Sequence, residues 1–121
     1  MRLHHLALGA ADVERVAGFY RDHLGMAELR RHHRDDGALR SVWLDLGGAI
    51  LMVEQSSAPA RRVEDVGPGP FLIAVRCTAE AREGVERALE AAGYAIEDRT
   101  DFTSYTRDPE GNRVAVSCYE G

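Results

Sequence analysis

The most constraining feature of this 121-residue sequence is that one order of secondary-structure elements occurs twice. Each copy begins with a short apolar strand, continues with an amphipathic helix and ends with three further strands. The first copy covers residues 1–54 and the second covers residues 71–121. Residues 55–70 hold three of the four prolines and predict a linker. Because so small a sheet buries little apolar surface alone, we expect the two copies to form one domain.

The boundaries of the first copy are marked by turn-forming and helix-capping residues. Residues from Leu3 to Leu8 predict a strand, Asp12 is a suitable helix N-cap, and Gly25 stands where a helix commonly ends. A Gly47-Gly48 pair between two apolar runs predicts a hairpin turn. The three remaining strands are predicted at residues 27–33, 38–46 and 49–54.

The second copy repeats this order. A short apolar strand at residues 71–77 is followed by Thr78, a plausible N-cap, and by a helix that ends at Gly93. Three more strands are predicted at residues 95–99, 103–107 and 113–119. The fold class is therefore α+β, with two βαβββ units whose curved sheets form a cup and whose helices lie on the outside.

Composition excludes several classes of function. A net charge of −5 without a long basic run argues against a nucleic-acid partner. No apolar run approaches the roughly 20 residues that a membrane helix needs, and the start of the chain lacks a signal-peptide core. We therefore expect a cytoplasmic protein without a membrane partner. Cys77 and Cys118 lack CxxC spacing, so we expect buried thiols rather than a redox or metal pair.

The distribution of basic side chains narrows the chemistry further. The sequence contains no lysine, which excludes a lysine Schiff base or a lysine general base. Every histidine lies at or before His33, so the second unit has no imidazole. His4 and His5 are adjacent in the first strand, where alternation sends them to opposite faces. We expect His5 to face the cup and His4 to face the helix.

Two stretches carry a resemblance to a known family. The first, at residues 5–26, reads HLAL followed by an aspartate and FYRDHLGM, and the second, at residues 107–116, reads RDPEGNRVAV. With the paired βαβββ units, the chain resembles the vicinal oxygen chelate superfamily. That superfamily includes glyoxalase I, extradiol dioxygenases, methylmalonyl-CoA epimerase, fosfomycin-resistance transferases and bleomycin-resistance proteins. The resemblance covers nearly the whole chain and implies the fold rather than one reaction.

The resemblance also implies where a metal would be bound. In metalloenzymes of the superfamily, four positions facing the cup hold a divalent ion that chelates two neighbouring oxygens of the substrate. Carried over to this sequence, those positions are His5, Leu51, Leu72 and Ala115. Apolar side chains cannot ligate a metal ion, so the resemblance implies the fold without the metal chemistry, and we expect no cofactor. Glu54 is the nearest acid, but alternation predicts that it faces the helix.

Two aromatic side chains complete the predicted wall of the cup. Trp43, the only tryptophan, falls on the cup side of its strand, although packing in a dimer interface is an alternative. Tyr105 stands where the fosfomycin-resistance branch has a tyrosine that touches the ligand, although a half-buried sheet aromatic is an alternative. His5 could bind a ligand or simply be satisfied by a neighbouring strand or water. The predicted ligand-binding residues are His5, Trp43, Leu51, Leu72, Tyr105 and Ala115.

Two functions from different classes follow. The first is a metal-free protein, similar to the bleomycin-resistance branch, that binds a small organic molecule in the cup. The second is a divalent-metal-dependent enzyme of the glyoxalase (lyase) or dioxygenase type, with a rearranged site that includes His5 and Glu54. The resemblance also implies a homodimer. The sequence leaves open which ligand is bound and whether any reaction is catalysed.

Overall fold

The computed structural model describes residues 1–120, and the chain divides into two compact units. The first unit is Met1–Ala60 and the second begins at Arg61, a boundary that falls inside the proline-rich segment 55–70. Each unit contains a four-stranded mixed sheet and one helix. The predicted α+β class with two βαβββ units is therefore confirmed. Within residues 1–120, no helix has the length and apolar character needed to span a lipid bilayer.

The elements of the first unit are β1 (His5–Ala10), α1 (Val13–Gly18) with a π-helical extension (Phe19–His23), β2 (Glu28–His33), β3 (Leu39–Asp45) and β4 (Ile50–Gln55). Its sheet has the strand order β1-β4-β3-β2, with β1 parallel to β4 and the other pairs antiparallel. Asp12 caps the helix as predicted, since its Oδ1 accepts a hydrogen bond from the Arg15 amide at 3.1 Å. Gly25, after the helix, has a φ of 72°, which favours glycine.

One face of the first sheet forms the core of the unit. Alternate residues of β3 and β4 are fully buried there: Val42, Leu44, Leu51 and Val53. Helix α1 packs on β3 and β4 with Val16 and Ala17, which are also fully buried. Burying each of the larger of these side chains contributes about 1.5–3 kcal/mol to folding. This burial fixes the pairing of β3 with β4, because a slip by one residue would turn the apolar set toward solvent.

The elements of the second unit are β5 (Ile73–Arg76), α2 (Ala79–Ala91), β6 (Asp98–Arg99), β7 (Thr103–Arg107) and β8 (Arg113–Ser117). Its sheet has the strand order β5-β8-β7-β6, with β5 parallel to β8. Thr78 caps α2 as predicted, since its Oγ1 accepts a hydrogen bond from the Ala81 amide at 3.1 Å. Strand β6 is much shorter than predicted, and the Ala95 carbonyl, inside the predicted strand, accepts a hydrogen bond from the Thr106 hydroxyl at 2.8 Å.

A polar cluster ties α2 to β7. The Arg82 guanidinium donates to the Ser104 hydroxyl at 2.8 Å, and it also donates to backbone carbonyls in the segment 100–103. Ser104 in turn donates to the Glu86 carboxylate, which also accepts from Arg99 at 3.1 Å. Each group in the cluster therefore has a partner, as polar groups removed from water require.

Candidate functional site

The face of the first sheet opposite α1 carries most of the predicted site. Strand pairing places Ala7 beside Met52, and Met52 beside Trp43. Arg30 follows as the partner of Trp43 on β2. These four side chains therefore form one row across the sheet, and we call the face that carries this row the open face of the first sheet. Ala7 and Arg30 are exposed, while Met52 and Trp43 are half-buried.

Trp43 lies at the centre of this row with Arg30 and His32 on its β2 side. The Trp43 and His32 ring centroids are 4.9 Å apart, and the Arg30 guanidinium carbon lies 5.7 Å from the Trp43 ring centroid. The cation–π contact with Arg30 and the ring contact with His32 hold the indole in place. His32 is itself fixed by a 3.1 Å contact between its Nδ1 and the Ser41 hydroxyl.

The indole N–H of Trp43 is the unusual atom of this face. Its Nε1 is buried and has no hydrogen-bond partner among residues 1–120. Buried polar groups in proteins are almost always paired, and leaving one unpaired costs about 1–3 kcal/mol. The arrangement therefore provides a flat apolar surface with one hydrogen-bond donor that an acceptor atom would satisfy.

His5 lies at the start of β1 on the same open face as Ala7. It is exposed, its strand partner is Ile50, and its Nδ1 lies 2.8 Å from the Nδ1 of His4. One of these two imidazoles must donate and the other accept. His4 is exposed and its ring lies against that of His5, so the prediction that it faces the helix is wrong. The strand begins at His5 rather than at Leu3, although the His4 carbonyl still accepts a hydrogen bond from the Ile50 amide at 3.0 Å.

The structure corrects two residue placements on β4. Leu51 is completely buried on the face covered by α1, where it pairs with Leu6 and Leu44, so it is not part of the open face. Glu54 is exposed and pairs with Ser41, and it therefore lies on the open face rather than toward the helix. Both errors have one cause, since the register carried over from the resemblance is one residue out of phase with the pairing of β3 and β4.

The second sheet also has a face opposite its helix. Tyr105 pairs with Ala115, and Ala115 pairs with Ala74, so these residues form a row on that face. Tyr105 is half-buried, Ala115 is fully buried, and the Arg113 guanidinium carbon lies 5.6 Å from the Tyr105 ring centroid. Leu72 is half-buried and directly precedes β5. The structure therefore places Tyr105 and Ala115 in one row of the second sheet, and it places Leu72 just before the first strand of that sheet.

The donor atoms on these faces do not fit a divalent ion. On the open face of the first sheet, His5 shares its row with Ile50 and Asp45, whereas Glu54 lies two rows away beyond Met52, so the side chains that could bind Mn²⁺, Ni²⁺ or Zn²⁺ are spread along the sheet. The row on the second sheet offers the Tyr105 hydroxyl and, beside it on β6, the carboxylate of Asp98, which are too few donors for a divalent site. Among residues 1–120, no three histidine, cysteine, aspartate or glutamate side chains converge on one point.

Sequence reasoning missed Met52, Arg30 and His32 as members of the Trp43 surroundings. A signal for Met52 is present in the sequence, because the Gly47-Gly48 turn pairs Asp45 with Ile50. Counting back from that pair places Met52 opposite Trp43. The two β2 residues could not be placed in the same way, since the pairing of β2 with β3 shifts between Glu28 and Arg30.

Solved structures of several related proteins have the same fold. The fosfomycin resistance protein FosX from Listeria monocytogenes, solved as an E126Q mutant with Mn(II) and 1S,2S-dihydroxypropylphosphonic acid, matches with a TM-score of 0.80 and 14% identity. That match covers 98% of this chain and 92% of FosX. Lactoylglutathione lyase from Agrobacterium tumefaciens matches with a TM-score of 0.67 and 22% identity, over 96% of this chain and 92% of the lyase.

A glyoxalase family protein from Enterococcus faecalis matches with a TM-score of 0.70 and 25% identity, over 96% of each chain. No curated protein sequence matches significantly. The family model for the Glyoxalase/Bleomycin resistance protein/Dioxygenase superfamily matches residues 2–116, which is nearly the whole sequence. The chain therefore belongs to the Glyoxalase/Bleomycin resistance protein/Dioxygenase superfamily.

Proposed function

We propose that this protein is a metal-free member of its superfamily that binds a small, flat organic molecule on the open face of the first sheet. The observation that carries the proposal is the buried and unpaired indole N–H of Trp43. The N–H lies in the plane of the indole ring, so a ligand that stacks on the ring would need an acceptor atom that reaches past the ring edge, and neighbouring side chains would have to move to expose the buried Nε1. Members of the superfamily bind small molecules, which supports the same class of partner here.

The surroundings of Trp43 suit such a ligand on two sides. Ala7 and Met52 offer an apolar surface on the β1–β4 side, and methionine adapts its shape to irregular ligands. Arg30 and His32 on β2 favour a ligand whose acceptor carries a partial or full negative charge. His5 lies on the same face and adds a group that can donate or accept a hydrogen bond.

The proposal contains three further parts that follow the superfamily resemblance. Leu72 and Tyr105 are proposed as ligand contacts on the second sheet, whereas Ala115, the third residue predicted there, is fully buried and is left out of the proposal. The protein is proposed to act in the cytoplasm and as a homodimer, and light scattering after size-exclusion chromatography measures its oligomeric state. Leu3 and Leu29, which are 62% and 52% exposed, line one shallow depression. Covering these apolar side chains with a second copy of the chain would remove apolar surface from water and stabilise a dimer.

The experiment that tests the proposal uses Trp43 emission, because this side chain is the only tryptophan. A panel of aromatic carboxylates, phenols and neutral heteroaromatics is titrated into the protein, and quenching or a spectral shift identifies ligands. Calorimetry then gives Kd for the strongest ligand with each variant. Trp43→Phe keeps a flat ring but removes the N–H, and we expect about a tenfold weaker Kd. Trp43→Leu removes stacking as well and should weaken Kd further.

Phe102→Leu provides the matched control, because it removes an exposed aromatic ring from a loop of the second unit. Its Kd should equal that of the wild type. The proposal is wrong if no class of compound binds, or if Trp43→Leu binds the ligand as well as the wild type does.

The metal-dependent enzyme is the competing function. Glu54 on the open face and His5 at the start of β1 are the side chains that such a rearranged site would use. Elemental analysis of the purified protein separates the two functions. About one divalent ion per chain, lost in His5→Ala, would replace the proposal with the enzyme.

A further inference from the structure

The two cysteines lie at the ends of neighbouring strands. Strands β5 and β8 are parallel, and their last paired residues are Arg76 and Ser117. Cys77 and Cys118 follow directly, and the Cys77 amide continues the ladder by donating to the Ser117 carbonyl at 2.9 Å. The two cysteines therefore occupy equivalent positions at the ends of adjacent strands of the sheet.

This placement suits a disulfide bond. Adjacent strands lie about 4.8 Å apart, and disulfides span Cα separations of about 4.4–6.8 Å. Alternation along β5 and β8 also puts both thiols on the face that carries Val75 and Val116. Neither distance nor direction therefore prevents the two sulfur atoms from meeting.

The thiols influence each other and are accessible. Burial and, after it, the charge of Cys118 raise the pKa of the Cys77 thiol, which agrees with the neighbouring positions that the strand pairing gives the two cysteines. Both residues are half-buried and line a cavity of about 750 Å³ with Arg76, Thr78, Phe102 and Tyr119. The Cys118 thiol donates weakly to the Phe102 carbonyl at 3.4 Å. A small disulfide reagent can therefore reach the pair.

We propose that Cys77 and Cys118 form a reversible disulfide by exchange with a low-molecular-weight disulfide. One protein thiol loses its proton and attacks the small disulfide, which releases one small thiolate and leaves a mixed disulfide. The second protein thiol loses its proton and attacks the protein sulfur of that bond, which releases the second small thiolate. Two protein thiols are oxidised, one small disulfide is reduced to two thiols, and the protein loses two hydrogen atoms.

The bond would tie the end of β8 to the start of α2. Cys77 directly precedes Thr78, the N-cap of α2, whereas Cys118 begins the C-terminal segment after β8. Closing the long loop between them restricts the unfolded chain. The oxidised protein is therefore harder to unfold than the reduced protein.

The test equilibrates the full chain with oxidised and reduced glutathione at graded ratios, blocks free thiols with iodoacetamide and measures intact mass. The expected result is a single transition from a doubly alkylated species to an unalkylated species whose mass is two hydrogen atoms below that of the reduced, unmodified chain. Oxidation should also raise Tm by about 5–10 °C. Cys77→Ser and Cys118→Ser should instead accumulate one bound glutathione and show no such rise in Tm.

Folding of each variant is checked by circular dichroism, and Cys→Ala versions replace any serine variant that is unfolded. The proposal is overturned if folded wild-type protein remains doubly alkylated, or carries only bound glutathione, at every ratio. It is also overturned if the oxidised product is a disulfide between two chains, which a non-reducing gel would show as a doubled mass.

Discussion

Asp108 is the single residue that organises the turn between β7 and β8. Its side chain is 4% exposed, and its Oδ1 accepts hydrogen bonds from the amides of Glu110 and Asn112, both at 3.0 Å. Its Oδ2 accepts from the Asn112 side chain at 2.9 Å. Gly111 completes the turn with a φ of 89°. A carboxylate that receives several donors at once is worth more than separate neutral hydrogen bonds.

We predict that Asp108→Ala lowers the free energy of unfolding by about 2–4 kcal/mol, because three donors lose a buried acceptor. Urea denaturation measures the change. Asp36→Ala is the matched control, since Asp36 is exposed and accepts one hydrogen bond, from the Ala38 amide at 2.9 Å. This control should cost less than about 1 kcal/mol. Equal losses in both variants would contradict the importance of the buried position.

Individual residues also show what the sequence could predict. The N-caps Asp12 and Thr78 were predictable, because capping depends on a few neighbouring residues and hydrogen bonds. The face on which Leu51 lies was predicted wrongly. A ligand position carried over by resemblance is correct only if the alignment is correct to the residue, because a shift by one residue moves a side chain to the other face of the sheet. The sequence also could not predict that the Trp43 N–H is buried and unpaired, because this depends on the positions of all the surrounding side chains.

At the scale of elements, α2 contacts its sheet through polar as well as apolar side chains. Leu89 is its one fully buried side chain among the described residues. The contacts of Arg82 and Glu86 with β7 therefore carry much of the attachment. A regular amphipathic pattern predicts the helix itself, but it does not predict that an arginine and a glutamate will also bind the helix to the sheet.

Glu86 makes this attachment dependent on pH. Burial raises the pKa of its carboxyl group, but hydrogen bonds from Ser104 and Arg99 and the charges of Arg99 and Arg82 outweigh burial and hold the pKa below its ordinary value. A folded-state pKa below the unfolded value means that the ionised carboxylate stabilises the fold. This contribution is complete above the ordinary value of 4.5 and is lost as pH falls through the folded-state pKa.

We predict that Glu86→Gln reduces stability by about 1–3 kcal/mol at neutral pH, and that the difference from the wild type shrinks below pH 4.5. Urea denaturation from neutral pH to the acid range measures both quantities. Glu83→Gln is the control, since its side chain is 85% exposed and its contact with Arg87 spans 3.8 Å. A difference for Glu86→Gln that grows toward acid pH would show that the sign of the shift is wrong.

At the scale of the whole molecule, the repeated βαβββ order was the most reliable information in the sequence. It depends on the periodicity of many residues, so an error at one residue does not change it. The chemistry of the superfamily depends instead on a few side chains at fixed positions. In this chain His5 is present, whereas Met52 pairs with Trp43 on the open face and Ala115 is buried under its neighbours. A shared fold therefore carries no guarantee of a shared metal.

This separation of fold from metal chemistry can be tested on the intact protein. We predict that chelator treatment leaves Tm unchanged and that added Mn²⁺, Ni²⁺ or Zn²⁺ does not raise it, because the two rows contain too few donor atoms. An ion present at one hundred times its Kd would stabilise the fold by about 2.7 kcal/mol, which corresponds to roughly 5–10 °C in Tm. The measurement is therefore sensitive to even moderate affinity.

His5→Ala and Glu54→Gln are measured in parallel, because these residues would form any rearranged site. A rise in Tm with one of the ions that both variants abolish would contradict the metal-free proposal. A rise that neither variant affects would point to binding elsewhere, such as the Cys77 and Cys118 thiols, which favour Zn²⁺ over Mn²⁺. Serine variants of the two cysteines would then remove the effect while leaving ligand binding at Trp43 intact.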